Sequence, residues 1–160
     1  ASARNMQPLK YMVSCRRDIN EIIFPFLAWA GYLESWDGPE AGERPSGYIL
    51  VFLDHHIAGT PVCDHGIAAQ TILLGAAEQG IAGCMIGSVK KKSLTNALGI
   101  PDHLELLMVV ALGYPAEEIV IEQVHAGGDI RYWRDEDGVH HVPKRSLESI
   151  LIHPVQEEEM

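Results

Sequence analysis

The polar groups of Ser2, Asn5 and Gln7 lie in a short proline-closed segment, ASARNMQP, just before a candidate strand. Hydroxyl and amide groups at this spacing can face one way and offer donors and acceptors to a planar heteroaromatic ring; the alternative is a solvated, frayed terminus. Lys144 and Arg145 follow Pro143, with Ser146 available to cap whatever comes next. Two cations beside a helix start can grip a phosphate, Arg through its fork and Lys as a point charge; the alternative is an ordinary exposed basic pair. Lys90, Lys91 and Lys92 fall in the first turn of a candidate helix, where the macrodipole disfavours cations. They fit either a phosphorylated cosubstrate or a solvated lysine face.

His55, His56, Cys63 and His65 have donor types that suit zinc, but their spacing matches no compact zinc signature, so no metal site is expected from them. His140 and His141 alternate across a candidate strand and cannot face one ligand together. No Ser-His-Asp or Cys-His set and no glycine-rich phosphate loop is discernible.

The stretch that must position such groups is 64–88, DHGIAAQTILLGAAEQGIAGCMIGS. Asp64 can cap a helix that runs through Gln79. Its apolar side chains (Ile67, Ala69, Ile72, Leu73, Leu74 and the alanines between them) cover nearly the whole circumference, which predicts burial on all sides. Gly80 supplies a left-handed exit, and 81–87 is a small, glycine-punctuated apolar segment that a flat ligand could approach closely.

Upstream, 9–14 reads as a short strand entered at Pro8, and 19–33 as a turn followed by a helix, with Pro25 interrupting the pattern. The segment 34–47, ESWDGPEAGERPSG, is a surface loop, and 48–53, YILVFL, is a central strand covered on both faces. Downstream, Ser88 can cap a helix through Leu98 that Gly99 and Pro101 end, and 106–112 is a buried strand. Residues 119–124 are a further strand candidate. Segments 130–136 and 139–142 flank Asp137-Gly138, a pair suited to a two-residue hairpin turn. A short helix or strand at 146–152 precedes a frayed acidic tail at Glu157, Glu158 and Glu159.

The length of 160 residues suits one domain or one lobe of an obligate dimer. With 47% hydrophobic and 21% charged residues the composition is that of a globular protein, and no apolar run is long enough to span a bilayer. A net charge of −10 argues against nucleic acid and anionic membranes as partners, so any anion site must be local. An odd set of cysteines, Cys15, Cys63 and Cys84, and the lack of a charged-apolar-small leader lead to the expectation of reduced thiols and a cytoplasmic location.

Taken in chain order, these segments resemble the FMN-dependent nitroreductase family. The likeness rests on S-x-x-N-x-Q-P at Ser2, Asn5, Gln7 and Pro8, on the helix DHGIAAQTILLGAAEQG, and on IAGCMIGS, LGIP, VALGYP and VPKRSLESI. It implies an α+β fold: a mostly antiparallel central sheet wrapped by helices, with 1–160 as a single domain. It further implies an intertwined homodimer with FMN at the subunit interface.

By the same resemblance Ser2, Asn5 and Gln7 touch the flavin ring or ribityl chain, Ser2 reaching the cofactor held mainly by the other subunit. Met85, Ile86 and Gly87 lie beneath the ring with backbone amides near N5 and O4, and Lys144 and Arg145 hold the phosphate. The implied activity is ping-pong hydride transfer from NAD(P)H through flavin N5 to a small acceptor such as a nitroaromatic or quinone, with no catalytic side chain required. Relatives carry a basic Arg-Arg-Ser-x-Arg segment and a first helix upstream; neither is present here, the expected reason being a trimmed or partly represented chain. The alternatives are a non-catalytic flavin- or ligand-binding module, or a cofactor-free remnant of the same fold. The loop at 34–47, with Trp36, would either roof the acceptor site or only cover the core.

Overall fold

The run YILVFL lies in β2 (Gly47–Asp54), where every residue but Ile49 is buried. Alternate residues of one strand face opposite ways, and here both directions meet apolar cover. The computed structural model describes residues 1–153, so the expected acidic tail at Glu157, Glu158 and Glu159 lies outside the described residues. Two compact units are present, one formed by Ala1–Gly31 with Ser35–Ala116 and the other by Tyr32–Glu34 with the chain from Glu117.

In the first unit β2 is joined by β1 (Leu9–Ser14), β3 (Ala82–Ile86) and β4 (Leu104–Gly113) in the order β1-β2-β4-β3. Every pairing is antiparallel. Tyr48, Leu50 and Phe52 join Leu106, Val109 and Ala111 on one face, packed with Ile23 of α1 (Arg17–Ile23) and Leu94 of α3 (Lys91–Ala97). Val51 and Val110 point the other way, against Ala69, Ile72 and Leu73 of α2 (Asp64–Glu78). Each large apolar side chain so buried contributes about 1.5–3 kcal/mol, which makes β2 and β4 the backbone of the unit. The α+β class and the mostly antiparallel sheet are as expected.

Several local expectations shift. The helix of the 19–33 segment precedes Pro25 instead of following it, and Phe24–Phe26 forms one 3-10 turn. Proline has no N–H to continue a helix, and the chain is redirected by tertiary bonds: Ala28 N donates to Ser88 O and Lys90 N to Phe26 O, both at 2.9 Å. Those bonds occupy the backbone around Ser88, so α3 starts at Lys91 with Lys90 as its N-cap residue, and Ser88 caps nothing. Asp64 is the first residue of α2, not its cap; Cys63 holds that position without a side-chain bond. Nor is α2 buried all round: Ile67 is 44% exposed and Leu74 64%. One stripe packs on the sheet and the opposite apolar stripe is open.

The loop at 34–47 is held down at two points. Gly38, at φ +112°, lies under the Trp29 indole so closely that a Cβ would sit 2.5 Å from Cδ1. Arg44 places its guanidinium 4.0 Å from the centroid of Phe24. Both anchors tie the loop to the segment that follows α1.

In the second unit β5 (Ile119–Val124), β6 (Trp133–Arg134) and β7 (His140–Arg145) form a sheet in the order β5-β7-β6, parallel in the first pairing and antiparallel in the second. The hairpin is present, but its turn is not the two-residue type centred on Asp137-Gly138. Gly138 N bonds Asp135 O at 3.1 Å, so Glu136 and Asp137 are central and Gly138 alone has positive φ, at 82°. Asp135 causes the shift: its Oδ1 accepts from Asp137 N at 3.0 Å and Val139 N at 2.8 Å. Ser146 does cap α4 (Leu147–Ile150), accepting from Ser149 N at 3.2 Å.

His141 of β7 stacks on Trp133 at 4.1 Å and lies between two carboxylates, Nδ1 2.7 Å from Glu122 and Nε2 3.2 Å from Asp135. Its pKa is raised, chiefly by the bond to Asp135, whose own pKa is lowered chiefly by the same bond. The histidine's contribution is complete below its ordinary value of 6.5 and lost as pH rises through the raised one. The Asp135 contribution is present above its ordinary 3.8 and lost as pH falls through the lowered one. Amide exchange of β6 and β7, corrected for its intrinsic pH dependence, is therefore expected to be slowest between about pH 4 and 6.5. Protection that is equal at pH 5.5 and 8, or a pH response that survives His141→Gln, would contradict this.

Candidate functional site

The loop before β1 is pre-organised by its own polar groups. Ser2 Oγ accepts from Gln7 N at 2.7 Å, and Gln7 Nε2 donates to Asn5 O at 3.0 Å and Asn5 Oδ1 at 3.2 Å. Arg4, Asn5 and Gln7 all have φ near +50° (52°, 54° and 55°). Side-chain-bearing residues in this region cost roughly 1 kcal/mol or more each, and clusters of them concentrate at ligand clamps. The internal bonds leave the Ser2 hydroxyl proton, the Asn5 Nδ2 donors and the Gln7 Oε1 acceptor for an outside partner.

Asp64 secures this loop. Its carboxylate, on a residue only 2% exposed, accepts from Ala3 N at 2.9 Å across 61 residues of sequence. The residue taken for a helix cap therefore positions Ser2, Asn5 and Gln7 against the start of α2. No local sequence signal pointed to that role.

Met85 and Ile86 end β3, which among the described residues is an edge strand of the sheet, and Gly87 follows it. Ile86 is 5% exposed and its side chain belongs to the core, leaving only its backbone for a ligand. The two glycines of this segment differ. A Cβ on Gly83 would meet Leu73 Cδ2 at 2.5 Å, Leu112 Cδ2 at 2.7 Å and Ala111 O at 2.9 Å, so what approaches Gly83 is the chain's own core. A Cβ on Gly87 would meet nothing within 4 Å. Gly87 is the open floor.

Sheet register relates the two pieces. Leu9 pairs with Leu53 and Leu53 with Glu105, while Ile86 pairs with Val109. Val109 in turn pairs with Leu50 and Leu50 with Met12, so the end of β3 is level with the middle of β1 on the opposite edge of the sheet, while the loop before β1 lies at the end where β2 finishes and β4 begins. Two cavities, about 130 Å³ and 440 Å³, lie at the opposite end around Cys15, Ser46 and Tyr48, and include none of the expected ligand residues. Burial pushes the Tyr48 phenol there up to about 12, against a smaller opposing effect of Arg44.

Lys144 and Arg145 belong to the second unit, at the exposed end of β7. As successive strand residues their side chains leave opposite faces of the sheet. The single compact grip expected of a cation pair beside a helix start is thereby split, with Arg145 nearest the α4 start. Lys91 and Lys92 are exposed in the first turn of α3.

A family model described as "Nitroreductase family" matches residues 49–114, which run from β2 to just past β4. An Archaeoglobus fulgidus protein, provisionally described as an NADH dehydrogenase/NAD(P)H nitroreductase, is 30% identical over 125 residues, covering 73% of this chain and 67% of that protein. Among solved structures, a Clostridium difficile nitroreductase family protein aligns with TM-score 0.60 at 18% identity, over 73% of this chain and 65% of its own. A Desulfovibrio desulfuricans protein, provisionally described as a nitroreductase and crystallised in complex with FMN, aligns with TM-score 0.64 at 21% identity, over 98% and 78%. This chain thus spans about two thirds of the length of the first two. The structural matches agree with the fold, and the sequence match carries the assignment: the chain belongs to the nitroreductase family.

Proposed function

We propose that this protein is an FMN-dependent oxidoreductase that takes hydride from NAD(P)H and passes it to a small acceptor such as a quinone or nitroaromatic. What carries the reading, in a chain of this family, is the pre-organised loop of Ser2, Asn5 and Gln7 before β1, together with the open backbone at Gly87 just after β3. The names of the archaeal and Desulfovibrio relatives support the donor and the cofactor respectively.

The residues fit such a group. Gly87 leaves the backbone bare where a planar ring would rest, and backbone amides at this end of β3 could donate to ring heteroatoms. Ser2 and Asn5 have donors to spare in the first unit; in the second unit, Arg145 and Lys144 are cations of the kind a phosphate takes, each on its own face of β7. FMN, when bound, supplies hydride acceptance and donation at N5. The part of Met85, Ile86 and Gly87 is to hold amides where negative charge develops and to exclude water from that face. We also read both units as parts of one nitroreductase-like domain and the protein as a homodimer. The open stripe of α2, with Ile67 and Leu74, is the surface that a second copy would cover. Among the described residues, no helix is long and apolar enough to cross a membrane.

Purified protein tests the reading through its visible spectrum and through oxidation of NADH or NADPH with a quinone. A yellow preparation that turns over is expected, with Lys144→Ala/Arg145→Ala weakening FMN retention by about ten- to a hundredfold. A colourless preparation that fails to take up added FMN sinks the proposal, and one that binds FMN without turnover identifies a binding module instead.

A further inference from the structure

A second cluster of chemistry-bearing side chains stands at the end of the sheet where β1 begins, independent of any flavin. Asp54 closes β2, His103 immediately precedes β4, and His56 lies in the turn after β2. Asp54 pairs in register with Leu104, which sets the neighbouring His103 next to the end of β2, and His55 N donates to His103 O at 2.9 Å. Asp54 Oδ1 accepts from His56 N at 3.0 Å, folding the turn back so that His56 Nδ1 lies 3.9 Å from that oxygen. The His56 and His103 rings stack at 4.2 Å with planes 8° apart. One donor atom from each of Asp54, His56 and His103 lies within 4.8 Å of the others.

From this geometry we infer that Asp54, His56 and His103 form a binding site for a borderline divalent transition metal of the zinc type. Two imidazoles and one carboxylate are the donor set such ions take, and they suit neither calcium nor magnesium, which want several oxygens. One anionic and two neutral ligands leave a dication with a single net positive charge, in a chain whose net charge is −10. Asp54 is 8% exposed and fixed by the sheet, and its amide donates to Pro8 O at 2.9 Å, so the carboxylate is pre-placed. Donors around a tetrahedral ion about 2.0–2.1 Å away stand closer together than the atoms here. The site must therefore tighten. The movable ligand is His56, whose side chain is 73% exposed and can tilt out of the stack, leaving a fourth position for water.

Two neighbours bear on the site. Lys10 Nζ is 4.0 Å from Asp54 Oδ2, but its side chain is 52% exposed and can swing away. His55 is engaged elsewhere, with Nε2 2.9 Å from Glu105 Oε2. Of the four residues whose types first suggested zinc, only His56 takes part. An occupied site would tie the end of β2 and its turn to the entry of β4, and through Pro8 to the start of β1.

The test uses the whole chain, stripped with chelator, titrated with zinc chloride by calorimetry and with cobalt chloride by visible absorption. Expected are one zinc per chain, a rise in melting temperature with zinc, and tetrahedral-type cobalt absorption. His56→Ala and His103→Ala should each weaken binding at least tenfold, whereas His65→Ala and His125→Ala leave it unchanged. Should a variant fold poorly, side-chain NMR of the unaltered chain decides, because zinc should move the ring resonances of His56 and His103 and abolish their mutual stacking shift. Absence of saturable binding, binding that survives the His56→Ala/His103→Ala double variant, or shifts centred on other histidines overturns the site.

Discussion

Gly87→Leu is expected to lower NAD(P)H oxidation by about a hundredfold or more while leaving the fold intact. The position has no neighbour within 4 Å of an added Cβ and no positive φ, so a side chain is accommodated without strain. It also follows the last residue of β3 paired with β4, so that pairing is not displaced. Exposed substitutions of this kind change stability by less than about 0.5 kcal/mol. A branched four-carbon side chain would nevertheless stand where the proposed ring lies against the backbone, holding it more than 1 Å away from the amides of Met85, Ile86 and Gly87. Misplacement on that scale costs roughly a hundredfold in rate. The measurements are turnover with a quinone acceptor, flavin content from the visible spectrum, and a thermal melt on the same sample. Unchanged turnover with full flavin content would show that the ring does not rest on Gly87; a collapsed melt would show that the position is structural.

The parts of this fold that were legible in the sequence are those whose partners follow from local pattern. The run at 48–53 could only be a strand with two covered faces, and the exits at Gly80 and Gly99 follow from glycine's freedom at φ +71° and +65°. What was not legible depended on partners distant in sequence. Apolar residues all around α2 indicate that the helix is covered, but not by what, and within one chain only one stripe is. Asp64 looks like a cap because caps are local, yet its carboxylate is taken by Ala3 N. His103 belongs to no ligand spacing visible in the sequence, because Asp54 and His56 are distant from it along the chain; only the pairing of β2 with β4 brings them together. Asp135 moved the hairpin turn by competing for two amides, a side-chain effect that the Asp137-Gly138 pair overshadowed.

The same logic separates Gly83 within β3 from Gly87 just after it, and Gly83→Val is the complementary experiment. Here the expected effect is on stability. A Cβ at Gly83 already meets Leu73 Cδ2 at 2.5 Å, Leu112 Cδ2 at 2.7 Å and the Ala111 carbonyl oxygen at 2.9 Å. The leucines can rotate, but the carbonyl belongs to β4, which pairs with β3 at Cys84↔Ala111 and cannot retreat without loosening that ladder. Overpacking of this kind costs about 1–3 kcal/mol, and a backbone obstacle with two further γ-methyls places valine at the upper end of that range. At this chain length each kcal/mol lowers the melting temperature by about 2–4 °C, so a loss of roughly 6–12 °C is expected, with Gly83→Ala intermediate. Because α2 rests on β3 through Leu73, the separation of helix and edge strand should also release the Gly87 end, and flavin retention should fall in step with stability. A variant that melts like the parent would mean that α2 does not approach β3 as closely as described. Flavin loss at an unchanged melting temperature would instead extend the ligand floor back along β3 to Gly83.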